Sequence, residues 1–177
     1  MFYRGTARFL HCLVAALIVI IMPMGLVMVA LDRGLAQNIL FITHESLGLT
    51  VLALMLARLA WRLTHPAPAP SAALSPLERR ASGGVHWALY GLLLAMPVTG
   101  YITVVAGGFP LTYFALINVP RMLEKDEPLS KLAGLAHVSL QYAVYALVAL
   151  HVAAALHHHF IRRNDVLARM WPNVRRR

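Results

Sequence analysis

The chain is 177 residues long, and 59% of these are hydrophobic while only 13% are charged. An ordinary soluble domain carries about 25% charged residues, so this composition excludes a typical soluble fold. The formal net charge of +9 also predicts no nucleic-acid partner, because the basic residues lie between apolar stretches rather than on one continuous face. The single cysteine, Cys12, excludes an internal disulfide and a cysteine-based metal cluster.

Four apolar stretches are long enough to cross a bilayer core, which requires about 20 helical residues. They cover residues 10–31, 39–60, 85–106 and 136–160. Because a chain in lipid must satisfy its backbone hydrogen bonds internally, each stretch is predicted to form a helix. The expected fold class is therefore all-α, an integral membrane four-helix bundle that forms one domain over residues 1–177.

The connections between these stretches differ in composition. Residues 32–38 are a short loop, whereas residues 61–84 are rich in proline and alanine and are interpreted as an extended linker. Residues 107–135 contain GGFP and a mixed-charge segment, and we expect an ordered cap or a short helix there. Pro23 and Pro97 lie within predicted spans, where membrane helices tolerate kinks.

Lysine and arginine are distributed unevenly between the two ends of the predicted bundle. The end shared by the N-terminal segment, residues 61–84 and the C-terminal tail carries Arg4, Arg8, Arg58, Arg62, Arg79, Arg80, Arg162, Arg163, Arg169, Arg175, Arg176 and Arg177. The opposite end carries Arg33, Arg121, Lys125 and Lys131. Because cytoplasmic loops are enriched in these residues, both termini are predicted to be cytoplasmic.

Nine histidines in so apolar a chain indicate a function, because ionisable groups at membrane depth are costly and usually face the bundle interior. His137 and His151 are 14 residues apart, which places them within about 40° of one helix face and about 21 Å apart along the axis. The topology pairs His11 with His151 and His44 with His137. Neutral imidazole is a haem-iron ligand, so these pairs predict two b-type haems.

Two other interpretations of the histidines remain open at this stage. Any one of them alone is more often a core or interface histidine that is hydrogen-bonded to the backbone. A transporter that uses histidines as a proton relay is a further alternative. Four histidines at paired depths in four predicted helices favour haem over both.

Several motifs together resemble the bacterial cytochrome b561 family over nearly the whole chain. The resemblance rests on His44-Glu45-Ser46-Leu47-Gly48 with Arg58-Leu59, Arg62-Leu63 and Pro66-Ala67-Pro68, on His86, Tyr90, Leu93, Pro97, Gly100 and Tyr101, and on Leu150 to Phe160 with its three consecutive histidines. Ala136 and Val138 depart from the family, which often has tryptophan and an acidic residue there. The resemblance implies a four-helix dihaem cytochrome b of the bacterial inner membrane.

The same resemblance extends to superoxide oxidases and implies a reaction. Superoxide would be oxidised on the periplasmic side, and ubiquinone would be reduced with protons from the cytoplasm. His86 and His158 are the implied quinone or proton-path residues, although capping of helix ends would also explain them. A cytochrome b subunit that relays electrons from a dehydrogenase, a hydrogenase or a periplasmic carrier to quinone is the alternative. Membrane lipid is a further expected partner, and a homodimer is allowed.

Arginine and glycine side chains supply the remaining site predictions. Arg8, Arg58 and Arg62 are candidates for pairing with haem propionates, although anchoring at the cytoplasmic surface explains them equally well. Gly48 and Gly100 are candidates for close approach of a macrocycle to the backbone, with ordinary helix packing as the alternative.

Charged residues of the loop 107–135 are relevant to whether an anionic electron donor is attracted there. Arg121, Lys125 and Lys131 could raise the local concentration of the superoxide anion. Glu124, Asp126 and Glu127 offset them, so an ordinary solvated loop surface is the alternative.

Overall fold

A computed structural model describes residues 4–66 and 68–171. The described residues form four long helices, a π-helical turn and a small hairpin: α1 (Gly5–Ala30), α2 (Leu35–Thr64), α3 (Pro76–Ala106), β1 (Thr112–Tyr113), β2 (Ile117–Asn118), α4 (Glu127–Leu156) and the π-helical turn (His157–Ile161). All four long helices are long and apolar enough to cross a membrane, which confirms the predicted four-helix membrane bundle. Ala67 and Arg175 to Arg177, which contributed to the motif and to the charge comparison, lie outside the described residues.

The interpretation of residues 61–84 as an extended linker is wrong for most of its length. Helix α2 continues to Thr64, and α3 begins at Pro76 instead of residue 85. Ser75 caps α3: its hydroxyl accepts a hydrogen bond from Glu78 N at 3.3 Å, while Glu78 Oε2 accepts one from Ser75 N at 2.7 Å. This reciprocal capping, with proline at the first helical position, starts the helix before the apolar stretch begins.

The loop expected over residues 107–135 is likewise shorter than predicted. The carboxylate of Asp126 accepts a hydrogen bond from Leu129 N at 2.9 Å, so α4 begins at Glu127. The ordered cap within this loop is a hairpin rather than a short helix, in which Thr112 pairs with Asn118 and Tyr113 with Ile117.

Interior residues of the four long helices recur at intervals of seven. These ladders are His11–Ile18–Gly25 in α1, His44–Val51–Arg58 in α2, His86–Leu93–Gly100 in α3 and His137–Val144–His151 in α4. Seven residues are about two helical turns, or about 10 Å, so each ladder presents one face of its helix at three heights.

Successive helices run in opposite directions, and the ladders therefore meet at three levels. The histidine–glycine level contains Gly25, His44, Gly100 and His137. The apolar level contains Ile18, Val51, Leu93 and Val144, which are buried together in the main hydrophobic core. The histidine–arginine level contains His11, Arg58, His86 and His151. Each long helix packs against the next one in the chain, in the order α1, α2, α3, α4. The outward faces of the helices are apolar and exposed, as at Val19 (70% exposed), which suits contact with lipid.

The hairpin is anchored on α2 by the fully buried Ser46. The Ser46 hydroxyl donates to the Ile42 carbonyl at 2.6 Å and accepts from Phe114 N at 2.7 Å. The Tyr113 hydroxyl lies 3.0 Å from Thr50 Oγ1, next to the apolar level. The hairpin therefore descends along α2 to membrane depth, where irregular backbone requires internal hydrogen-bond partners.

Replacing Ser46 with alanine should release the hairpin from α2. The Phe114 amide would lose its hydrogen-bond acceptor, and an unsatisfied buried group costs about 1–3 kcal/mol. Faster amide hydrogen exchange in residues 111–119 and a lower thermal midpoint are the expected results. Thr43→Ala is the matched control, because its exposed hydroxyl only bonds the Ile39 carbonyl within the same helix. Equal exchange in both variants would contradict the anchoring role.

Candidate functional site

The histidine–glycine level brings His44 and His137 together as predicted. Their ring centroids lie 6.3 Å apart, with the ring planes inclined by 76°. The His137 Nδ1 lies 2.9 Å from the Met96 carbonyl oxygen of α3, to which it can only donate. This bond fixes the orientation of the ring and leaves Nε2 as the nitrogen available to a metal.

Glycine residues make room for both rings at this level. A Cβ placed on Gly25 would lie 3.1 Å from Cε1 of His44, and a Cβ on Gly100 would lie 3.2 Å from Cε1 of His137. These distances are shorter than ordinary van der Waals contact, so each imidazole packs directly against the backbone of a neighbouring helix. Gly100 therefore packs against a histidine ring, and its close approach to a macrocycle stays a prediction.

Two cavities flank His44 and His137, with volumes of about 290 Å³ and about 70 Å³. Both are walled mainly by apolar side chains, and Gly48 and Pro97 line both of them. Glu45 contributes a carboxyl group to the larger cavity. An apolar cavity with two inward histidines suits a large apolar group that takes two axial nitrogen ligands.

The histidine–arginine level holds three imidazoles. His11 and His151 have centroids 6.1 Å apart with planes inclined by 72°, as the predicted pairing requires. His86 lies still nearer to His151, with centroids 5.3 Å apart. The Nδ1 of His11 is buried and has no hydrogen-bond partner among the described residues, so this site includes a polar atom that the protein itself leaves unsatisfied.

The two predicted pairs have the spacing of trans ligands on one metal ion. A metal–imidazole bond is about 2 Å long and the ring centroid lies about 1 Å beyond the nitrogen, so trans imidazoles have centroids about 6 Å apart. Separations of 6.1 Å and 6.3 Å match this value. Within residues 4–66 and 68–171, no three His, Cys, Asp or Glu side chains converge as a metal site. Two facing imidazoles at each level fit haem iron, which His11 with His151 and His44 with His137 would hold.

The three predicted arginines occupy different surroundings. Arg58 lies on the interior ladder of α2, with its guanidinium carbon 5.2 Å from the Tyr90 ring centroid, and it interacts electrostatically with the histidines of its level. Arg62 stacks over Trp87 at 5.4 Å. On α1, Arg8 lies three residues before His11, and its pairing with a haem propionate stays a prediction.

The second predicted quinone residue, His158, lies seven residues beyond His151, within the π-helical turn. Its Nδ1 lies 3.0 Å from the Asn164 amide nitrogen. On α3, the His86 Nδ1 lies 3.4 Å from the Ser82 hydroxyl. Both histidines therefore lie at the end of the bundle where α1 begins and α4 ends, and each has a polar neighbour at Nδ1.

The basic residues of the α3–α4 connection are spread apart. Lys131 forms an ion pair with Glu127 at 2.7 Å, and Arg121 reaches the Val105 carbonyl at 3.5 Å. The aliphatic part of Lys125 packs on Gly108. With Lys131 neutralised, this surface gives limited support to electrostatic attraction of an anion.

Gly25, Met96, Ser82 and Asn164 contribute to the site and were not identified in the sequence. Gly25 lies on the same seven-residue ladder of α1 as His11, and this spacing could have identified it. Asn164 lies beyond the last apolar stretch, and its contact with His158 depends on a left-handed residue, Arg163, with a φ of 48°, which no pattern indicates.

A membrane-spanning four-helix bundle with paired interior histidines at two levels defines a class of membrane haem protein. Comparison with known proteins agrees with this class, since the family model described as prokaryotic cytochrome b561 matches residues 3–173. The chain belongs to the prokaryotic cytochrome b561 family. It is therefore a multi-pass bacterial membrane cytochrome that binds b-type haem and transfers electrons.

Three relatives illustrate the range of the family. The cytochrome b561 homolog 2 of Escherichia coli K12 is 36% identical over 127 residues, which covers 72% of this chain and 68% of that protein. The probable superoxide oxidase CybB of Yersinia pestis is 30% identical over 132 residues, covering 75% and 74%. The cytochrome b561 homolog 1 of Escherichia coli K12 is 28% identical over 130 residues, covering 73% of each chain.

Replacing Gly100 with alanine should disturb the histidine–glycine level. The added methyl group would force the His137 ring away from the α3 backbone, and we expect the haem content per chain to fall by about half as one site is lost. Pyridine haemochrome spectra of the purified protein measure this content. Gly91→Ala in the same helix is the control, because a Cβ there meets nothing within 4 Å. Full haem content in both variants would refute the packing argument.

Proposed function

We propose that the protein carries two b-type haems and transfers electrons across the membrane from superoxide to ubiquinone. The observation that supports this proposal most directly is the pairing of His44 with His137 and of His11 with His151 at nearly equal centroid separations. His137 and His151 belong to one helix and lie about 21 Å apart along its axis. Two redox centres at these heights would bridge most of a bilayer core about 30 Å thick.

Bound at the two pairs, haem would supply one-electron carriers at two depths. The protein's own residues orient the ligands and exclude water. The Met96 carbonyl orients His137. The backbones at Gly25 and Gly100 pack against the rings of His44 and His137, respectively. Ile18, Val51, Leu93 and Val144 are each at most 7% exposed and form a dry layer between the levels, which limits proton leakage along the electron path.

The overall reaction is balanced by two superoxide ions for each quinone. Two superoxide anions are oxidised to two molecules of oxygen, and one ubiquinone takes up two electrons and two protons to give ubiquinol. Superoxide would react at the end that contains the hairpin and quinone at the end where α1 begins and α4 ends. If the termini are cytoplasmic, electrons move inward and the reaction is electrogenic, worth about 2.3 kcal/mol per electron per 100 mV.

Quinone would bind where His86, His151 and His158 approach the cytoplasmic surface. Imidazole nitrogens can donate hydrogen bonds to quinone oxygens and pass protons to them. Arg58 adds positive charge close to His86 and His151, which would favour electron arrival at this level and could also pair with a haem propionate. Arg62, on the same helix, is the second candidate for such a pair.

Superoxide as the donor is supported by the relative named as a probable superoxide oxidase. Stopped-flow mixing of the oxidised protein with superoxide tests this step directly. Rapid growth of the reduced haem absorption band is expected. If superoxide leaves the protein oxidised while a periplasmic carrier or a dehydrogenase reduces it, the protein is a relay subunit instead.

Removing one ligand from each level should remove one haem at a time. His151→Ala leaves His11 without its partner and His137→Ala leaves His44 without its partner, so each variant should retain about one haem per chain, because a single axial imidazole holds haem poorly. His159→Ala is the control, since this residue contacts Phe160 rather than the pairs. Two full haems per chain in His151→Ala or His137→Ala would refute the ligand assignment.

A further inference from the structure

The chain reverses direction directly after the π-helical turn, and this reversal brings Asn164 against His158. Arg163 adopts the left-handed conformation with a φ of 48°. The backbone N–H of Asn164 donates to the His158 carbonyl at 3.0 Å, which caps the turn. The Asn164 side chain consequently lies beside the imidazole, with Nδ2 3.0 Å from His158 Nδ1.

A second hydrogen bond determines which atom of the Asn164 amide faces the histidine. The backbone N–H of Val166 donates to Asn164 Oδ1 at 3.2 Å. Because Oδ1 is engaged there, the NH₂ group is the part of the amide that meets His158. An amide nitrogen can only donate, so the imidazole Nδ1 must accept, and in the neutral ring the proton resides on Nε2.

We propose that Asn164 is a positioning residue that holds His158 as its Nε2–H tautomer, so that the ring donates a hydrogen bond to a quinone oxygen. The use of this hydrogen bond rests on the proposed function, whereas the choice of tautomer does not. During reduction, negative charge develops on the quinone oxygens, and a fixed donor stabilises that charge. The opposite tautomer would present a lone pair to the same oxygen and would oppose its binding.

Contacts with the α2–α3 connection hold Asn164 in place. Asp165 accepts a hydrogen bond from the buried Ser71 and forms an ion pair with Arg169 at 3.6 Å. Arg169 in turn donates to the Ala69 carbonyl at 2.7 Å. These bonds join the segment after Asn164 to a different part of the chain, so the amide is held from both sides rather than by the helix end alone.

The carboxylate of Glu78 also acts on His158. It pairs with Arg162 at 3.5 Å and interacts electrostatically with His158, while it also caps α3 through Ser75. His158 therefore has an amide that donates to Nδ1 and an anionic group on α3 in its surroundings.

Nitrogen NMR of the protein labelled with ¹⁵N-histidine tests the tautomer itself. His158 is assigned by the signal that disappears in His158→Gln. The wild-type protein should show a protonated Nε2 and an unprotonated Nδ1. Asn164→Asp should reverse this pattern, because a carboxylate can only accept and would draw the proton to Nδ1. Asn38→Asp is the matched control, because Asn38 is exposed in the first turn of α2. This variant should leave the His158 signals unchanged.

Oxidation of the pre-reduced haems by a soluble ubiquinone analogue tests the functional part of the inference without using superoxide. We expect Asn164→Asp to raise the KM for this oxidised analogue about tenfold, as the loss of one hydrogen bond does, with unchanged haem content. Asn164→Ser keeps a hydroxyl donor, so the KM of this variant should lie closer to the wild-type value than to that of Asn164→Asp.

Two results would overturn the inference in different ways. A wild-type His158 protonated at Nδ1, or an unchanged tautomer in Asn164→Asp, would eliminate the positioning role whatever the protein's function. A reversed tautomer with unchanged kinetics of haem oxidation by the ubiquinone analogue would show that quinone does not bind at His158, and would count against that part of the proposed function. Failure of superoxide to reduce the haems would affect neither measurement.

Discussion

The cost of placing imidazoles inside a lipid bilayer constrains the whole architecture. A buried polar ring that lacks partners is destabilising by several kcal/mol in hydrocarbon, and the chain carries four interior imidazoles at two heights: His11, His44, His137 and His151. Among the described residues, Nδ1 of His11 and Nδ1 of His44 are buried without a hydrogen-bond partner. Spacing by seven residues keeps successive rungs on one face of each helix over about 21 Å. Because adjacent helices are antiparallel, the same spacing brings residues from different helices to a common level. Coordination of haem iron by these rings would then offset part of the cost of burying them.

Some backbone carbonyl groups inside the bundle are also satisfied by side chains of neighbouring helices. Met22 and Met96 each precede a proline within a helix, and their carbonyl oxygens accept hydrogen bonds from α4, through Tyr145 at 3.2 Å and His137 at 2.9 Å. Helix α4 therefore contacts both proline-containing helices through polar bonds. The Ser46 hydroxyl of α2 similarly accepts a hydrogen bond from the Phe114 N–H of the hairpin. In each case a side chain from one element satisfies a group that lipid could not.

Local sequence signals predicted the parts of this structure that depend on composition and periodicity. Hydropathy located the four membrane helices, and the topology paired His11 with His151 and His44 with His137. The structure brings both pairs of rings together, and their role as haem ligands stays a prediction. The capping residues Ser75 and Asp126 were also local signals, and their omission made two helices too short at their beginnings. The hairpin on Ser46 and the contact between Asn164 and His158 could not be predicted, because each depends on a left-handed turn or on residues more than sixty positions away.

The central claim is that pairs of buried histidines hold one haem at each of two depths. The most direct test is the ratio of haem to protein in the purified wild-type chain, determined by pyridine haemochrome together with amino-acid analysis. The account predicts two b-type haems per chain. A ratio of one, or a haem-free protein that keeps its fold and stability, would contradict it.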